Sequence, residues 1–211
     1  MLRFYEHTSA KAVWSFRLAT FALGVFLAAF LWHRFLGLQT PLALKILGAA
    51  TGAAFVALVL AVAALVSIWN EGYRGAGRAS AAVVIGALVL AVPLSSLPRL
   101  FLLPRISDVT TDPTSPPAFD RIARIRQAGA NPSHYNAAFL PLQAAAYPDI
   151  KPAFVQRPAV DVYTIVRDAV KALNWKIVDE QIPESARTGY MEAVARTLVF
   201  GFTDDVAIRV T

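Results

Sequence analysis

The chain has 211 residues, of which 56% are hydrophobic and 16% charged, with a net charge of +6. Soluble domains carry about 25% charged residues, so we expect part of this chain to lie outside water. It contains no cysteine, which excludes disulfide bonds, thiolate nucleophiles and cysteine-based metal sites.

The charge is divided unevenly between the two halves of the chain. Residues 1–103 contain eight Lys or Arg and two acids, whereas residues 104–211 contain twelve residues of each sign. Basic residues around apolar segments are typical of membrane proteins. A nucleic-acid surface requires basic residues clustered on a polar domain, and the neutral second half argues against one.

Three apolar segments are predicted to cross a membrane: residues 13–35, 46–69 and 79–97. A span needs about 20 apolar residues. The alternative for the first segment is a cleaved signal peptide, which its length and the following His33–Arg34 disfavour. Pro93 is expected to kink the third helix. No ionisable residue lies near the middle of a span, which argues against an ion-coupled transporter.

The second segment contains Gly48 and Gly52 in GxxxG spacing. This spacing predicts a helix-packing face, within this bundle in preference to a partner, although chance in an Ala-rich helix explains it equally well.

The basic residues that flank the three spans number five on the side of the N-terminus and four on the opposite side. This difference predicts a cytoplasmic N-terminus and a second half outside the cytoplasm.

The second half begins with the stretch "DVTTDPTSPPAF", residues 108–119, whose composition is typical of a linker. Residues 119–129 are predicted to form a short basic helix or an irregular arm. Residues 131–158 contain five prolines and are predicted to be irregular. Their predicted anchors are Tyr135, Phe139, Leu142, Tyr147, Ile150 and Phe154.

Regular structure is predicted from Pro158 onwards. An apolar stripe at helical spacing predicts a helix over residues 160–173. Its members are Val162, Ile165, Val166, Ala169, Val170 and Leu173. Strands are predicted at 175–182, 190–202 and 205–211, with a turn at "TDD" before the third. This order predicts an antiparallel α+β layer. The chain stops inside a predicted strand, so we expect the natural product to be longer.

Four blocks of the second half together resemble a known family. They are "DVTTDPTSPPAF", "AAAYPDI", "LNWKIVDEQ" and "VFGFTDDVAIRV". In this order they are similar to the bacterial family known as domain of unknown function 1499. The resemblance implies that residues 108–119 begin the folded domain, that apolar spans often precede it and that further strand follows. It implies no activity.

The predicted fold class is therefore a membrane α-helical bundle of three transmembrane helices, residues 1–103, plus a C-terminal α+β domain with an antiparallel sheet, residues 104–211, truncated at Thr211. The predicted location is the bacterial inner membrane, with the C-terminal domain in the periplasm. Predicted partners are membrane lipids and other membrane-protein subunits, with no nucleic acid.

Few residues predict chemistry. Three histidines, His7, His33 and His134, have no metal-ligand spacing, and Ser133–His134 lacks a nucleophile elbow. Asp108, Asp112, Asp204 and Asp205 would suit a hard cation, but we favour the interpretation that each serves its own turn. Arg121, Arg124 and Arg126 are candidates for lipid headgroups, or simply a solvated face.

We therefore expect no metal, cofactor or catalytic residue. The sequence favours two functions over a third, an enzyme that would use an acid or base near Asp108, His134 or Asp204. The first is a non-enzymatic membrane-anchored envelope protein, an accessory or structural subunit of a larger membrane assembly. The alternative is a periplasmic binding module for a lipid or other apolar small molecule, with Tyr190, Val194, Leu198 and Phe200 of the second strand lining its pocket.

Overall fold

The computed structural model describes residues 7–126, 129–184 and 188–211. The chain divides into two compact units, Met1–Arg99 and Leu100–Thr211. The first contains long apolar helices, and the second contains a three-stranded antiparallel sheet with helices. The predicted fold class is confirmed in these terms.

The helices of the first unit are α1 (Ala10–Leu36), α2 (Thr40–Glu71) and α3 (Ala76–Leu102), the last of which extends three residues past the boundary at Arg99. All three are long and apolar enough to cross a membrane, judged by length and composition. The side chain of Ser9 caps α1, and Gly37 and Gly72 end α1 and α2 in the left-handed conformation that glycine adopts freely. The helical assignment of α3 continues through Pro93.

The three helices pack through stripes of small residues repeated at steps of three and four. On α1 the buried stripe consists of Ala12, Ser15, Ala19, Ala22, Phe26, Ala29 and His33. On α2 it consists of Ala43, Leu47, Ala50, Ala54, Ala57, Ala61 and Ala64. This is the heptad period of helices that pack along their length, and alanine allows their backbones to approach closely.

Gly86 of α3 is buried at this contact. A Cβ added to Gly86 would lie 3.2 Å from the backbone oxygen of Ala54 and 3.3 Å from the Cβ of Leu58. By contrast, Gly48 and Gly52 are exposed, and no atom lies within 4 Å of a Cβ added to either. The expectation that these two glycines pack within this bundle is wrong, because the heptad stripe of α2 follows another face. Packing against a partner stays a prediction.

The second unit contains a sheet in the order β1-β2-β3, so β2 is central. The strands are β1 (Lys176–Gln181), β2 (Gly189–Arg196) and β3 (Thr203–Val210). Before them come α4 (Arg121–Ile125), a 3-10 turn (Ala137–Phe139), α5 (Leu140–Ala146) and α6 (Ala159–Ala172). Residues 131–158 are thus less irregular than predicted, because Asn136 caps the 3-10 turn and Pro141 lies in the first turn of α5, where proline is tolerated.

Helix α6 lies on the sheet through a face that matches the predicted stripe only in part: Val162, Val166 and Val170 pack in the core cluster, as predicted. Tyr163 and Val170 are 2% and 3% exposed, whereas Ile165 is 50% exposed. The buried cluster also includes Met191 and Ala193 of β2. The predicted stripe did not include Tyr163. Its hydroxyl lies 3.4 Å from both Glu180 Oε2 and the Tyr190 carbonyl, so the ring is buried without stranding its polar group.

The turn between β2 and β3 lies earlier than predicted. It covers residues 197–202, and "TDD" belongs to β3. The N–H of Thr197 donates to the carbonyl of Phe202 at 2.9 Å, and the N–H of Gly201 donates to the carbonyl of Thr197 at 3.1 Å. Gly201 has φ of 73°, which glycine adopts without strain. A glycine at this position ended the strand although the residues around it are apolar.

A bulge in β1 sets which side chains face α6. Ile177 pairs with Ala193 and Glu180 pairs with Met191, with a register shift between Ile177 and Asp179. Residues three apart on a regular strand point to opposite faces. The extra residue places Ile177 and Glu180 on the same face, where Glu180 reaches Tyr163.

Candidate functional site

The two faces of the sheet differ in chemistry. Met191 and Ala193 face α6, and the residues that alternate with them, Tyr190 and Glu192, face the other way. Arg209 of β3 lies opposite Tyr190. We call Tyr190, Glu192 and Arg209 the polar face. Residues 108–126, which we call the arm, contact all three through hydrogen bonds.

Glu192 is fully buried. Its carboxylate accepts hydrogen bonds from three backbone N–H groups, those of Asp120, Arg121 (3.2 Å) and Ile122 (2.6 Å). These groups lie at the start of α4, where N–H groups have no partner within the helix. A buried carboxylate is stable only when such donors replace water. Glu192 therefore satisfies the first turn of α4 and fixes the arm to the central strand.

Tyr190 is the second contact between strand and arm. Its hydroxyl donates to the carbonyl of Ala118 and lies 3.2 Å from Glu192 Oε1. Burial, followed by the negative charge of Glu192, raises the pKa of Tyr190 above its ordinary value. The phenol is therefore neutral at physiological pH and acts as a donor rather than as a base.

Arg209 holds the beginning of the arm. Its guanidinium donates to Asp112 Oδ2 at 2.8 Å and to the Ser115 carbonyl at 2.6 Å. The other oxygen of Asp112 accepts from the Thr114 hydroxyl at 2.6 Å and from the N–H of Ser115 at 3.1 Å. The hydrogen bond from Thr114 is the main reason that the pKa of Asp112 is lowered. Asp112 thus closes its own turn and anchors it to β3.

A fourth attachment ties the arm to the helical segment that follows it. The side-chain nitrogen of Gln143 in α5 donates to the Thr110 carbonyl at 2.7 Å, and its oxygen accepts from the Thr110 N–H at 3.2 Å. Gln143 is 4% exposed, and the Tyr135 hydroxyl also donates to its oxygen. The side-chain amide of Gln143 thus makes the same two hydrogen bonds to Thr110 that a residue of a neighbouring β-strand would make through its backbone.

Comparison with known proteins places the start of a family match at the first residue of the arm. Residues 108–211 match the family described as "Protein of unknown function (DUF1499)". Residues 108–211 form a DUF1499 domain. Neither a curated protein nor a solved structure matches the chain. The match begins at Asp108, so the stretch whose composition is typical of a linker is the first part of the DUF1499 domain and folds onto its sheet.

The predicted lipid-headgroup residues of the DUF1499 domain have different environments. Arg126 lies 2.8 Å from Asp205 of β3, in a mostly buried ion pair. Arg124 pairs with Asp120 on an exposed surface. Arg121 is exposed. The role of Arg126 is therefore to join the arm to the sheet, and binding of headgroups by the other two stays a prediction.

The predicted anchors of residues 131–158 are partly corrected. Tyr135, Phe139 and Tyr147 are half-buried, but Phe154 is 94% exposed and anchors nothing in its own unit. The residue that holds this segment is Gln143, which the apolar pattern did not single out. An apolar anchor list omits it because its burial depends on two backbone partners from Thr110, 33 positions away.

The four aspartates considered for a cation do not form a metal site. Within residues 7–126, 129–184 and 188–211, no group of three or more His, Asp or Glu side chains is arranged to hold a metal ion. Asp112 serves its own turn, as expected, and Asp205 instead pairs with Arg126 inside β3. Asp112 and Asp205 therefore hold the arm on the sheet of the DUF1499 domain.

Glu192 was missed by sequence reasoning, although a signal was present. In "YMEAVA" a single carboxylate stands between Met191 and Ala193, two apolar residues that are fully buried in β2. A charge in an apolar strand indicates either a solvated face or a buried partner. Choosing between them needs the position of the arm, which precedes the strand by about 70 residues.

Proposed function

We propose that this chain is a non-enzymatic, membrane-anchored interaction protein of the cell envelope, acting as an accessory subunit of a larger membrane assembly. The DUF1499 domain would provide the contact surface outside the membrane. The observation that carries the proposal is the turn between β2 and β3, residues 197–202, which we call the apolar tip. Leu198 and Val199 there are 92% and 64% exposed.

The apolar tip is a defined surface of its own unit. The rings of Phe200 and Phe202 stack with their centroids 5.5 Å apart, and the backbone bonds of Thr197 close the turn. Leu198 and Val199 are left pointing away from this closed base. Large apolar side chains held out on a fixed turn are costly in water, and such groups often mark interaction sites.

The surroundings of the tip favour a protein partner over a bare lipid surface. Arg196 and Asp204, both exposed, flank the turn with opposite charges. An apolar centre with a rim of both signs is the usual composition of a protein–protein interface. An acidic flank would be repelled by anionic lipid, which is common on bacterial membranes.

The non-enzymatic part of the proposal is supported by how the ionisable groups are used. Glu192 caps α4, Arg209 holds Asp112, and Arg126 pairs with Asp205. On the opposite face Glu180 accepts from Arg167 at 2.9 Å and contacts Tyr163. Groups committed to such contacts are poor general acids or bases, because proton transfer would break the structure that positions them.

The ligand-binding alternative loses its proposed pocket. Tyr190 and Val194 point away from α6, and Leu198 and Phe200 lie in the turn. The space between α6 and the sheet is filled by Tyr163, Val170, Met191, Ala193 and Val210, each at most 8% exposed. The expectation that strand two lines a cavity against the helix is therefore wrong.

Photo-crosslinking in native membranes tests the proposal. A photoreactive amino acid at Leu198 of the full chain should capture a membrane protein, and the same probe at exposed Lys171 on α6 should not. Changing both Leu198 and Val199 to serine should abolish co-purification of that protein after mild detergent extraction. A monomeric particle in native mass measurement, with crosslinks from position 198 only to lipid, would refute the proposal.

A further inference from the structure

A recess of about 500 Å³ opens on the surface of the helical unit, between the first turns of α1 and α3. It is lined by Thr8, Val13, Phe16, Arg17 and Arg78. Val13 and Phe16 form an apolar floor, and the two arginines supply positive charge at the rim. This combination of one charged edge and one apolar wall matches a molecule that is itself amphipathic.

Within the described residues of the helical unit, from residue 7 onwards, no acid neutralises either arginine. Arg17 and Arg78 are exposed, and neither has a carboxylate partner in the part of the chain that the structure describes. Glu71, the described acid of this unit, is the last residue of α2 and does not line the recess. Two guanidinium groups facing one recess repel each other unless an anion lies between them.

The recess is built rather than accidental. The N–H of Ser9 donates to the Arg74 carbonyl at 2.9 Å, and the N–H of Arg74 donates to the His7 carbonyl at 3.1 Å. These bonds fasten the connection between α2 and α3 to the start of α1. Gly75, with φ of 123°, lies so close to α1 that a Cβ added to it would be 3.0 Å from the Cβ of Ala12. This connection places Arg17 of α1 and Arg78 of α3 at the same recess.

The recess also lies at the level expected for lipid headgroups. Arg17 is in the second turn of α1 and Arg78 in the first turn of α3, at the ends of helices long enough to cross a membrane. The guanidinium of Arg17 stacks over the ring of Trp14, which is 61% exposed. Tryptophan and arginine together at a helix end are typical of the membrane–water interface.

We propose that this recess binds the phosphate of an anionic phospholipid, with Arg17 and Arg78 as the two donors and one acyl chain against Val13 and Phe16. Basic recesses between helices at this level are known to recognise such headgroups. Guanidinium groups suit a phosphate because their paired N–H donors match two of its oxygens. The site is separate from the apolar tip and does not depend on the function proposed above.

The test uses the full chain, purified in neutral detergent and stripped of lipid. Binding of phosphatidylglycerol is compared with that of phosphatidylcholine carrying the same acyl chains, by native mass spectrometry. Arg17→Gln with Arg78→Gln should weaken phosphatidylglycerol binding roughly 30-fold, given the attraction of two basic side chains to anionic lipid. Arg34→Gln, at the other end of α1, is the matched control and should bind as the unmodified chain does.

Two further measurements complete the test. Circular dichroism confirms that the double variant keeps its helices, and Arg17→Lys with Arg78→Lys should recover most of the binding because it restores the charge. Inorganic phosphate alone is the third ligand. Equal retention of the two phospholipids, unchanged binding in the double glutamine variant, or phosphate that binds as well as the phospholipid would each overturn the proposal.

Discussion

The carboxylate of Glu192, in the central strand, accepts a hydrogen bond from the backbone N–H of Ile122 at 2.6 Å. The two residues are 70 positions apart in sequence, and both are at most 1% exposed. One buried acid thus does for α4 what an N-cap residue normally does from the preceding position. The contact makes the arm part of the domain rather than a tether that leads to it.

Removal of this acid should release the arm. Glu192→Ala leaves three backbone donors at the start of α4 without their acceptor, and we expect a loss of about 3–5 kcal/mol in the free energy of unfolding, because each buried donor without a partner costs about 1–3 kcal/mol. The measurement is trypsin cleavage after the exposed Arg121 and Arg124 in the full chain. The cleavage rate should rise by roughly 100-fold or more, since it follows the population of the open state.

The control for this prediction is Asp149→Asn, which changes an exposed acid of the same domain. It should leave the cleavage rate unchanged within about a factor of two, because exposed substitutions cost at most about 0.5 kcal/mol. Slow cleavage in the Glu192→Ala chain would mean that other contacts alone hold the arm.

Helix α6 should be sensitive at Tyr163 and tolerant at Ile165. Tyr163→Ala removes a buried ring and should lower the free energy of unfolding by about 3–5 kcal/mol. Ile165→Asp changes a side chain that is half exposed and should cost less than about 1 kcal/mol. Thermal unfolding of the domain in the detergent-solubilised chain measures both. The reverse order would show that the stripe predicted from spacing, not the observed one, faces the sheet.

The helical bundle should depend on Gly86 and not on Gly48. Gly86→Leu forces a side chain against the Ala54 carbonyl, 3.2 Å from where its Cβ would be, and overpacking of this kind costs about 1–3 kcal/mol. Gly48→Leu enters open space and should leave the bundle unchanged. Resistance to unfolding by increasing fractions of a denaturing detergent compares the two.

The Gly48→Leu variant also separates the two interpretations of the GxxxG spacing. If these glycines contact a partner helix, the variant should keep its own fold and lose co-purifying protein. If the spacing is due to chance, both properties should match those of the unmodified chain. A destabilised bundle in this variant would contradict the exposed position of Gly48.

Acid should loosen the attachment of the arm to β3. The hydrogen bond from Thr114, with help from Ser115 and Arg209, holds the pKa of Asp112 below its ordinary value of 3.8. A lowered pKa in the folded state means that the stabilisation is present above the ordinary value and is lost as the pH falls through the lowered one. Stability should therefore drop as the pH decreases below about 4.

Asp112→Asn tests this dependence. The asparagine retains an oxygen for the Thr114 and Ser115 donors but cannot gain or lose a proton in this range. The variant should be less stable than the unmodified chain at pH 7 and should lose less stability between pH 5 and pH 3. Denaturant midpoints measured at both ends of that interval decide it, and equal pH slopes would show that other carboxyl groups dominate.

The sequence by itself determined the features that depend on local composition. Three apolar segments of sufficient length predicted three helices, because the length of an apolar run fixes whether a helix is long enough to cross a membrane. The spacing of Val162, Val166 and Val170 predicted α6, and the segment 175–182 was predicted as the strand that contains β1. The resemblance to the DUF1499 family also followed from four short blocks read in order.

Only the tertiary structure decided which faces are used. Tyr163, and not the predicted Ile165, packs on the sheet. Its phenol can be buried because Glu180 and a backbone carbonyl accept hydrogen bonds from its hydroxyl. Gly86, not Gly48, lies at the helix contact. The spacing of glycines in the sequence does not show which of them has a neighbouring backbone beside it. Glu192 reads as an isolated charge until residues about 70 positions earlier supply its donors. Propensity and period are local, whereas the burial of a polar group depends on partners that only the folded chain brings within about 3 Å.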